Sequence, residues 1–336
     1  MSERSAPRIG DVARVAGVSP MTVSRTLAGA GTVAPATQER VWAAVRELGY
    51  HRNENARSLR PGQPSGLIGV AVTNFANPYY GSLAVGVEEL VAAQGKRILL
   101  ASTGEDPARE DQVIADFAGR QVDGIVLVPS TDAAEAVRVT AASGIPLVLA
   151  SRGAPDSDVD SVVLDDVGGA QRATAELLAA GHTRIAFLGN QASVWTGRRR
   201  LEGFLAAHEA AGVPVDDALV RQGQQASADV HAVVRSLLAL PGPPTAYFAA
   251  NNRNTVGLLQ ELATSGGGRM PQIAAFDALE LQELLPVDLT VVTHDPAALG
   301  RAAADLLLAR LGDPGRATHR VEVPVGVQRV RRAPAP

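Results

Sequence analysis

The stretch IGDVARVAGVSPMTVSRTL, residues 9–27, predicts two short helices joined by a glycine turn. Ile9, Val12, Ala13 and Ala16 fall on one face at helical spacing, with the small Ala13 where two crossing helices approach closely. Gly17 suits the left-handed conformation of a tight turn, and Val18 is an apolar plug beneath it. Ser19 is a good N-cap and Pro20 suits a first helical position, so a second helix begins there. Val23 and Leu27 point back at the first helix, which leaves Pro20, Met21, Thr22, Ser24 and Arg25 on the open side. A helix with that exposed edge fits a DNA major groove, its N-terminal half nearest the bases.

A third helix is expected from Pro35 to Leu48, with Val41, Ala44, Val45 and Leu48 as its buried stripe and Gly49 as its terminator. Ala34 stands where a side-chain cap belongs, so this helix starts uncapped. Asn53 is placed to cap a helix of barely two turns ending near Leu59, before the linker PGQPSG at 61–66. So short a helix orders only when something packs on it, such as a second copy on DNA with Leu59 wedged into the minor groove and Arg60 near the phosphates. The plain alternative is an interdomain linker. The expected division is therefore a helix-turn-helix head, 1–60, with its hinge helix at about 53–59, and a body, 61–336.

Charge follows the same division. Residues 1–60 hold nine arginines and five acids, a balance of +4, whereas the whole chain carries −4, so the body carries −8. A basic head attracts phosphate and an acidic body resists lying along DNA. No apolar run approaches the ~20 residues that span a bilayer, and MSERSAPRIGD lacks the apolar segment of a secretory signal. The protein is thus expected in the cytoplasm, associated with the nucleoid. With no cysteine, thiolate nucleophiles and cysteine-ligated metal are excluded, and neither cofactor nor metal is expected.

Beyond Ser65, β-branched runs alternate with amphipathic helices. Residues 67–72, 97–101, 124–128 and 146–150 read as buried strands, separated by helices such as 78–94 and 106–120. A second series follows: helix 168–180, strand 183–188, helices 196–211 and 228–240, strand 245–249, helix 252–264 and strand 272–275. Such alternation implies doubly wound parallel sheets, covered on both sides, in two halves. Ligands of such folds bind at the carboxyl ends of the strands.

At this point the chain resembles, nearly end to end, the lactose-repressor/galactose-repressor (LacI/GalR) family of bacterial transcriptional regulators. The resemblance rests on DVARVAGVSPMTVSRTL, TQERVWAAVRELGY, ARSL, NPYY, VDGIVLVPS, GHTRIAFLG, RRLEGF and LTVV, in family order. It implies a homodimer, or a tetramer built on it, bound to a pseudo-palindromic operator in double-stranded DNA. It also implies a body like a periplasmic sugar-binding protein, closing on a small effector. Pro20, Met21 and Arg25 then look like specificity positions, Ser19, Thr22 and Ser24 lie on the same DNA-facing helix start, and Thr22 and Ser24 look like phosphate contacts. At the hinge, Asn53, Ala56, Leu59 and Arg60 complete the DNA-binding set, although Arg52 replaces the proline that commonly precedes the hinge cap.

For the effector, the resemblance points to Asn77, Tyr79, Tyr80, Ser130, Ser151, Arg152, Arg200, Asn251, Phe276 and Asp277. Polar groups such as Arg200, Asn251 and Asp277 suit adjacent sugar hydroxyls, while the aromatics suit a ring face. Three departures stand out: Ser151 where many relatives have aspartate, Asn252 in place of an acid, and Gly223-Gln224-Gln225 without an aromatic. Two carboxylates and a stacking platform are thus absent, which predicts an effector more acidic or more polar than a neutral hexose, held by Arg152 and Arg200. Catalysis is the rival class, but six histidines show no HExxH spacing, no GxSxG occurs, and Gly266-Gly-Gly268 is not followed by lysine. The DNA-reading head argues equally against a free-standing solute-binding protein.

Overall fold

The structure, a computed structural model, describes residues 7–27, 33–50, 64–131, 133–154, 157–223, 227–265 and 270–331. These form two compact units divided between Ser65 and Gly66.

In the first unit, α1 (Ile9–Ala16), α2 (Pro20–Leu27) and α3 (Pro35–Leu48) pack around Val12, Ala13, Ala16, Val23, Val41 and Ala44. The amide of Arg8 donates to the Asp11 carboxylate at 2.9 Å, and this bond is the main reason the carboxyl lies below its ordinary pKa. Gly17 adopts φ 65°, and the Val18 amide returns to the Ala13 carbonyl at 3.0 Å, closing α1 as the sequence predicts. Ser19 Oγ accepts the Thr22 amide at 3.2 Å, capping α2. Ala34 contributes no cap to α3.

The body opens with β1 (Leu67–Val72), α4 (Pro78–Ala93), β2 (Arg97–Ser102), α5 (Pro107–Gly119), β3 (Gly124–Leu127), α6 (Ala134–Ser143), β4 (Leu147–Ala150) and β5 (Asp160–Leu164). It continues with α7 (Asp166–Ala179), β6 (Ile185–Gly189), α8 (Trp195–Ala211), β7 (Val220–Gln222), α9 (Ser227–Leu238) and β8 (Ala246–Ala249). Then come α10 (Asn252–Thr264), β9 (Gln272–Phe276), β10 (Leu289–Thr293), α11 (Pro296–Gly312), β11 (Arg320–Val323) and β12 (Gly326–Val330). Two six-stranded sheets result, in the orders β11-β5-β4-β3-β1-β2 and β12-β10-β9-β8-β6-β7. Pairing is parallel except between β10 and β12, where Leu289 faces Val330.

Each sheet with its helices forms a lobe, and the chain crosses between lobes three times: from β5 to α7, from β10 to α11, and from β11 to β12. In the first lobe α11 packs against α4, closely enough that a Cβ on Gly86 would strike the Ala297 carbonyl and one on Gly300 the Leu83 carbonyl. These glycines are required by close approach rather than by backbone angle.

Among the departures from the sequence reading, two lie in the first sheet. The run 97–101, expected to be buried, is an edge strand whose Leu100 is 44% exposed, because β2 has a neighbour on one side only. The second is β5, which begins with a charge: Asp160 is buried and paired with Arg310 at 2.9 Å.

Candidate functional site

The head presents its DNA-reading candidates as expected. Ser19, Pro20, Met21 and Arg25 are exposed, Met21 by 65%, and Thr22 and Ser24 are half-buried along the same edge of α2. Ser19 Oγ and Thr22 Oγ1 lie 2.9 Å apart, so capping already orients the Thr22 hydroxyl. Beneath them, the Thr26 hydroxyl donates to the Thr22 carbonyl at 3.0 Å, which keeps a buried polar side chain satisfied. Asn53, Ala56, Leu59 and Arg60, with Arg52, lie outside the described residues.

The body's cleft, about 510 Å³ with the solvent at its mouth, collects the ends of strands from both lobes. From the first lobe come Asn77, Tyr79 and Tyr80 after β1, Glu105 after β2, and Ser151 and Arg152 after β4. The second lobe supplies Asn190, Thr196 and Arg200 after β6, Asn251, Asn252 and Arg253 after β8, and Asp277 after β9. Eight of the ten residues expected from sequence therefore converge: Asn77, Tyr79, Tyr80, Ser151, Arg152, Arg200, Asn251 and Asp277.

The other two stand behind the wall. Ser130 is buried, its amide donating to Glu110 at 2.6 Å and its hydroxyl 3.2 Å from Thr103 Oγ1. Phe276 is fully buried and lies flat beneath Arg200, whose guanidinium carbon is 3.5 Å from the ring centre.

Electrostatics in the cleft differ from the sequence expectation. Arg152 forks onto Glu105 through two hydrogen bonds, 2.7 and 2.8 Å, and donates to the Pro129 carbonyl at 3.0 Å. Burial raises the Glu105 carboxyl, but the Arg152 hydrogen bonds and charge outweigh it and hold the group below its ordinary value. Arg200 bonds Asp166 at 2.8 Å and the Ala250 carbonyl at 2.6 Å; burial pushes Asp166 up against the opposing pull of that cation. Asp277 accepts from His294 Nε2 at 2.9 Å and from the Asn252 amide at 3.2 Å. Burial again works upward on Asp277, and Arg200 and His294 overcome it. Two guanidinium groups of the cleft, Arg152 and Arg200, are thus each paired with a carboxylate, Glu105 and Asp166. The two arginines expected to hold an acidic effector are already neutralised.

Glu105, Ser151 and Asp277 adopt φ of 64°, 66° and 80°, a left-handed backbone that costs non-glycine residues roughly 1 kcal/mol or more each. All three lie at strand ends in the cleft, where the surrounding fold aims their side chains inward. Sequence reasoning missed Glu105, Asn190, Thr196, Arg253 and the supporting pair Asp166 and His294. Glu105 had one signal, its place in the Gly104-Glu105-Asp106-Pro107 turn between a strand and a capped helix. Gln224 and Gln225, where an aromatic was expected and not found, lie outside the described residues.

Comparison with known proteins agrees with both units. Residues 65–329 match periplasmic binding proteins and the sugar binding domain of the LacI family, and residues 8–53 match bacterial regulatory proteins of the lacI family. The chain is 33% identical over 298 residues to the HTH-type transcriptional regulator DegA of Bacillus subtilis, covering 87% of this chain and 88% of that one. It is 32% identical over 320 residues to the HTH-type transcriptional regulator CelR of Thermobifida fusca, covering 93% and 94%. Among solved structures, a transcriptional regulator CelR–cellobiose complex superposes with a TM-score of 0.73 at 28% identity, covering 96% of this chain and 99% of that one. These relatives are regulators rather than enzymes. A helix-turn-helix head, a two-lobed body with a polar cleft and near full-length similarity to such regulators together place the chain in the LacI family of DNA-binding transcriptional regulators.

Proposed function

We propose that the protein is a repressor that binds a pseudo-palindromic operator as a homodimer in the cytoplasm and is controlled by an uncharged, polyhydroxylated effector in the cleft. The observation that supports this effector class is the charge balance of the wall. With Arg152 committed to Glu105 and Arg200 to Asp166, an added anion meets two guanidinium groups already paired, while the amides of Asn190 and Asn251 and the Asp277 carboxylate offer paired donors and acceptors to adjacent hydroxyls. Tyr79 and Tyr80 supply the apolar side of the cleft. The similarity to a regulator solved with cellobiose favours the same class.

On DNA, Arg25 reads guanine through two parallel hydrogen bonds, Met21 meets a thymine methyl, and Thr22 and Ser24 hold phosphates. The hinge residues Asn53, Ala56, Leu59 and Arg60 belong to the same reading, by resemblance. The effector binds one lobe arrangement better than the other and so biases how the two heads are spaced.

Thermal-shift measurements with cellobiose, maltose, glucose and ribose, set against gluconate, glucuronate and glucose 6-phosphate, test the effector class. Stabilisation by a neutral sugar alone is expected; stabilisation confined to the acids or the phosphate overturns it. Selection of bound duplexes from a random library tests the operator, and enrichment without two-fold symmetry overturns the dimeric reading.

A further inference from the structure

Among the contacts that bridge the lobes at the cleft, beside the edge-on rings of Tyr79 and His294 with centroids 5.5 Å apart, two stand out. Asn77 Nδ2 donates to Asn252 Oδ1 at 3.1 Å, and Asn252 Nδ2 returns a bond to Asn77 Oδ1 at 2.7 Å. The Asn77 amide and the Asn252 backbone are each held by their own lobe. Asn77 caps α4, accepting the Tyr79 amide at 3.0 Å, while the backbone of Asn252 is tied to Asp277 at the end of β9. The pair therefore meets with the Asn77 side chain already ordered, which lowers its entropic cost. An acid at 252, which the family resemblance leads one to expect, accepts one of these bonds but cannot donate the other. The sequence departure at this position is what makes the pairing reciprocal.

The second contact lies at Gly153, immediately after Arg152. The ring of Trp195, at the start of α8 in the opposite lobe, lies over the bare Cα of Gly153, and a Cβ there would sit 3.2 Å from the indole. Trp195 Nε1 is buried with no hydrogen-bond partner among the described residues. The two contacts thus pull in different directions: the amide pair favours closure, and the unpaired indole N–H regains water on opening.

We propose that the Asn77–Asn252 amide pair, with Trp195 seated on Gly153, is a clasp that holds the two lobes together across the cleft, close enough to balance for an effector to shift it. The clasp rests on the body's own geometry and not on the chemistry of the effector, so its failure leaves the proposed effector class untouched.

Trp195 reports its own exposure. The chain has two tryptophans, and Trp42→Phe removes the one in the head. In that background, the full-length, ligand-free protein is expected to show a blue-shifted emission that acrylamide quenches weakly. Asn252→Ala removes both amide bonds and is expected to raise the open-to-closed ratio about tenfold, read as a red shift and stronger quenching, with a larger radius of gyration by X-ray scattering. Gly153→Val pries at the other contact and is expected to give the same changes, which keeps the test open should Asn252→Ala fail to fold. Emission and quenching unchanged in both folded variants overturn the clasp. So does a Trp195 that is quenched as readily in the Trp42→Phe protein as in either variant.

Discussion

Asp166→Ala strands the Arg200 guanidinium in the interior. Arg200 keeps its bond to the Ala250 carbonyl and its place over the Phe276 ring, but loses the Asp166 carboxylate bonded to it, 2.8 Å away. Removing one partner of a buried ion pair costs about 3–5 kcal/mol, because the remaining charge stays desolvated. Two features bring the figure to the lower end of that range or just below it. Arg200 lines the cleft, so water reaches one side of it, and Asp166 Oδ2 is itself buried without a partner among the described residues, a cost that the substitution relieves. A loss of about 2–3 kcal/mol is expected. At about 2–4 °C per kcal/mol for a domain of this size, the melting temperature falls by roughly 4–12 °C. Urea unfolding of the body, followed by Trp195 fluorescence in a Trp42→Phe background, measures it. The decisive comparison is Asp166→Ala with Arg200→Met, in which the stranded charge is gone: this double variant is expected to be more stable than Asp166→Ala alone. A double variant less stable than the single, or a single loss below about 1 kcal/mol, refutes the claim that an unpaired buried charge is the source of the damage.

On the operator recovered by selection, Arg25→Ala is expected to cost about 1–3 kcal/mol and to relax specificity at one position, whereas Thr22→Ala weakens all sequences alike; fluorescence anisotropy across single-base variants distinguishes them. Ala34→Ser supplies the missing cap of α3 and is expected to stabilise the head by about 1 kcal/mol, read from urea unfolding at Trp42 in a Trp195→Phe background. Gly300→Ala drives a methyl into the Leu83 carbonyl and is expected to cost about 1–3 kcal/mol, with the loss appearing in the body's melting and not the head's. Burial holds the His208 ring below the ordinary pKa of 6.5. As pH falls through 6.5 the unfolded chain takes up a proton that the native ring refuses, so stability declines as pH drops below that value; His208→Gln is expected to flatten that segment of the urea midpoint against pH.

Much of this molecule was legible because its signals are local. The head's turn at Gly17, its cap at Ser19 and its apolar spacing are written within 19 consecutive residues, and the structure uses each as read. The strand ends of the cleft were equally visible, since parallel strands buried on both faces leave apolar runs that stop where the polar site begins. What stayed hidden depends on partners distant in sequence. The charge that begins β5 makes sense only beside Arg310, 150 residues downstream. Glu105 becomes a cleft residue only when Arg152 comes alongside it, 47 residues on. The apparent lack of carboxylates was a reading of neighbours in sequence, and the fold supplied the charges from elsewhere.

The three crossings between lobes have a consequence for how the protein is made. Lobe one begins at β1 yet receives α11 and its outermost strand β11 only from residues 296–323, after the ribosome has threaded the second lobe's five central and edge strands into existence. Neither half therefore matures in order of synthesis. A nonsense codon anywhere before residue 296 deprives the first-made half of the helix that packs on α4, so truncated products expose an apolar flank rather than leaving one functional lobe behind.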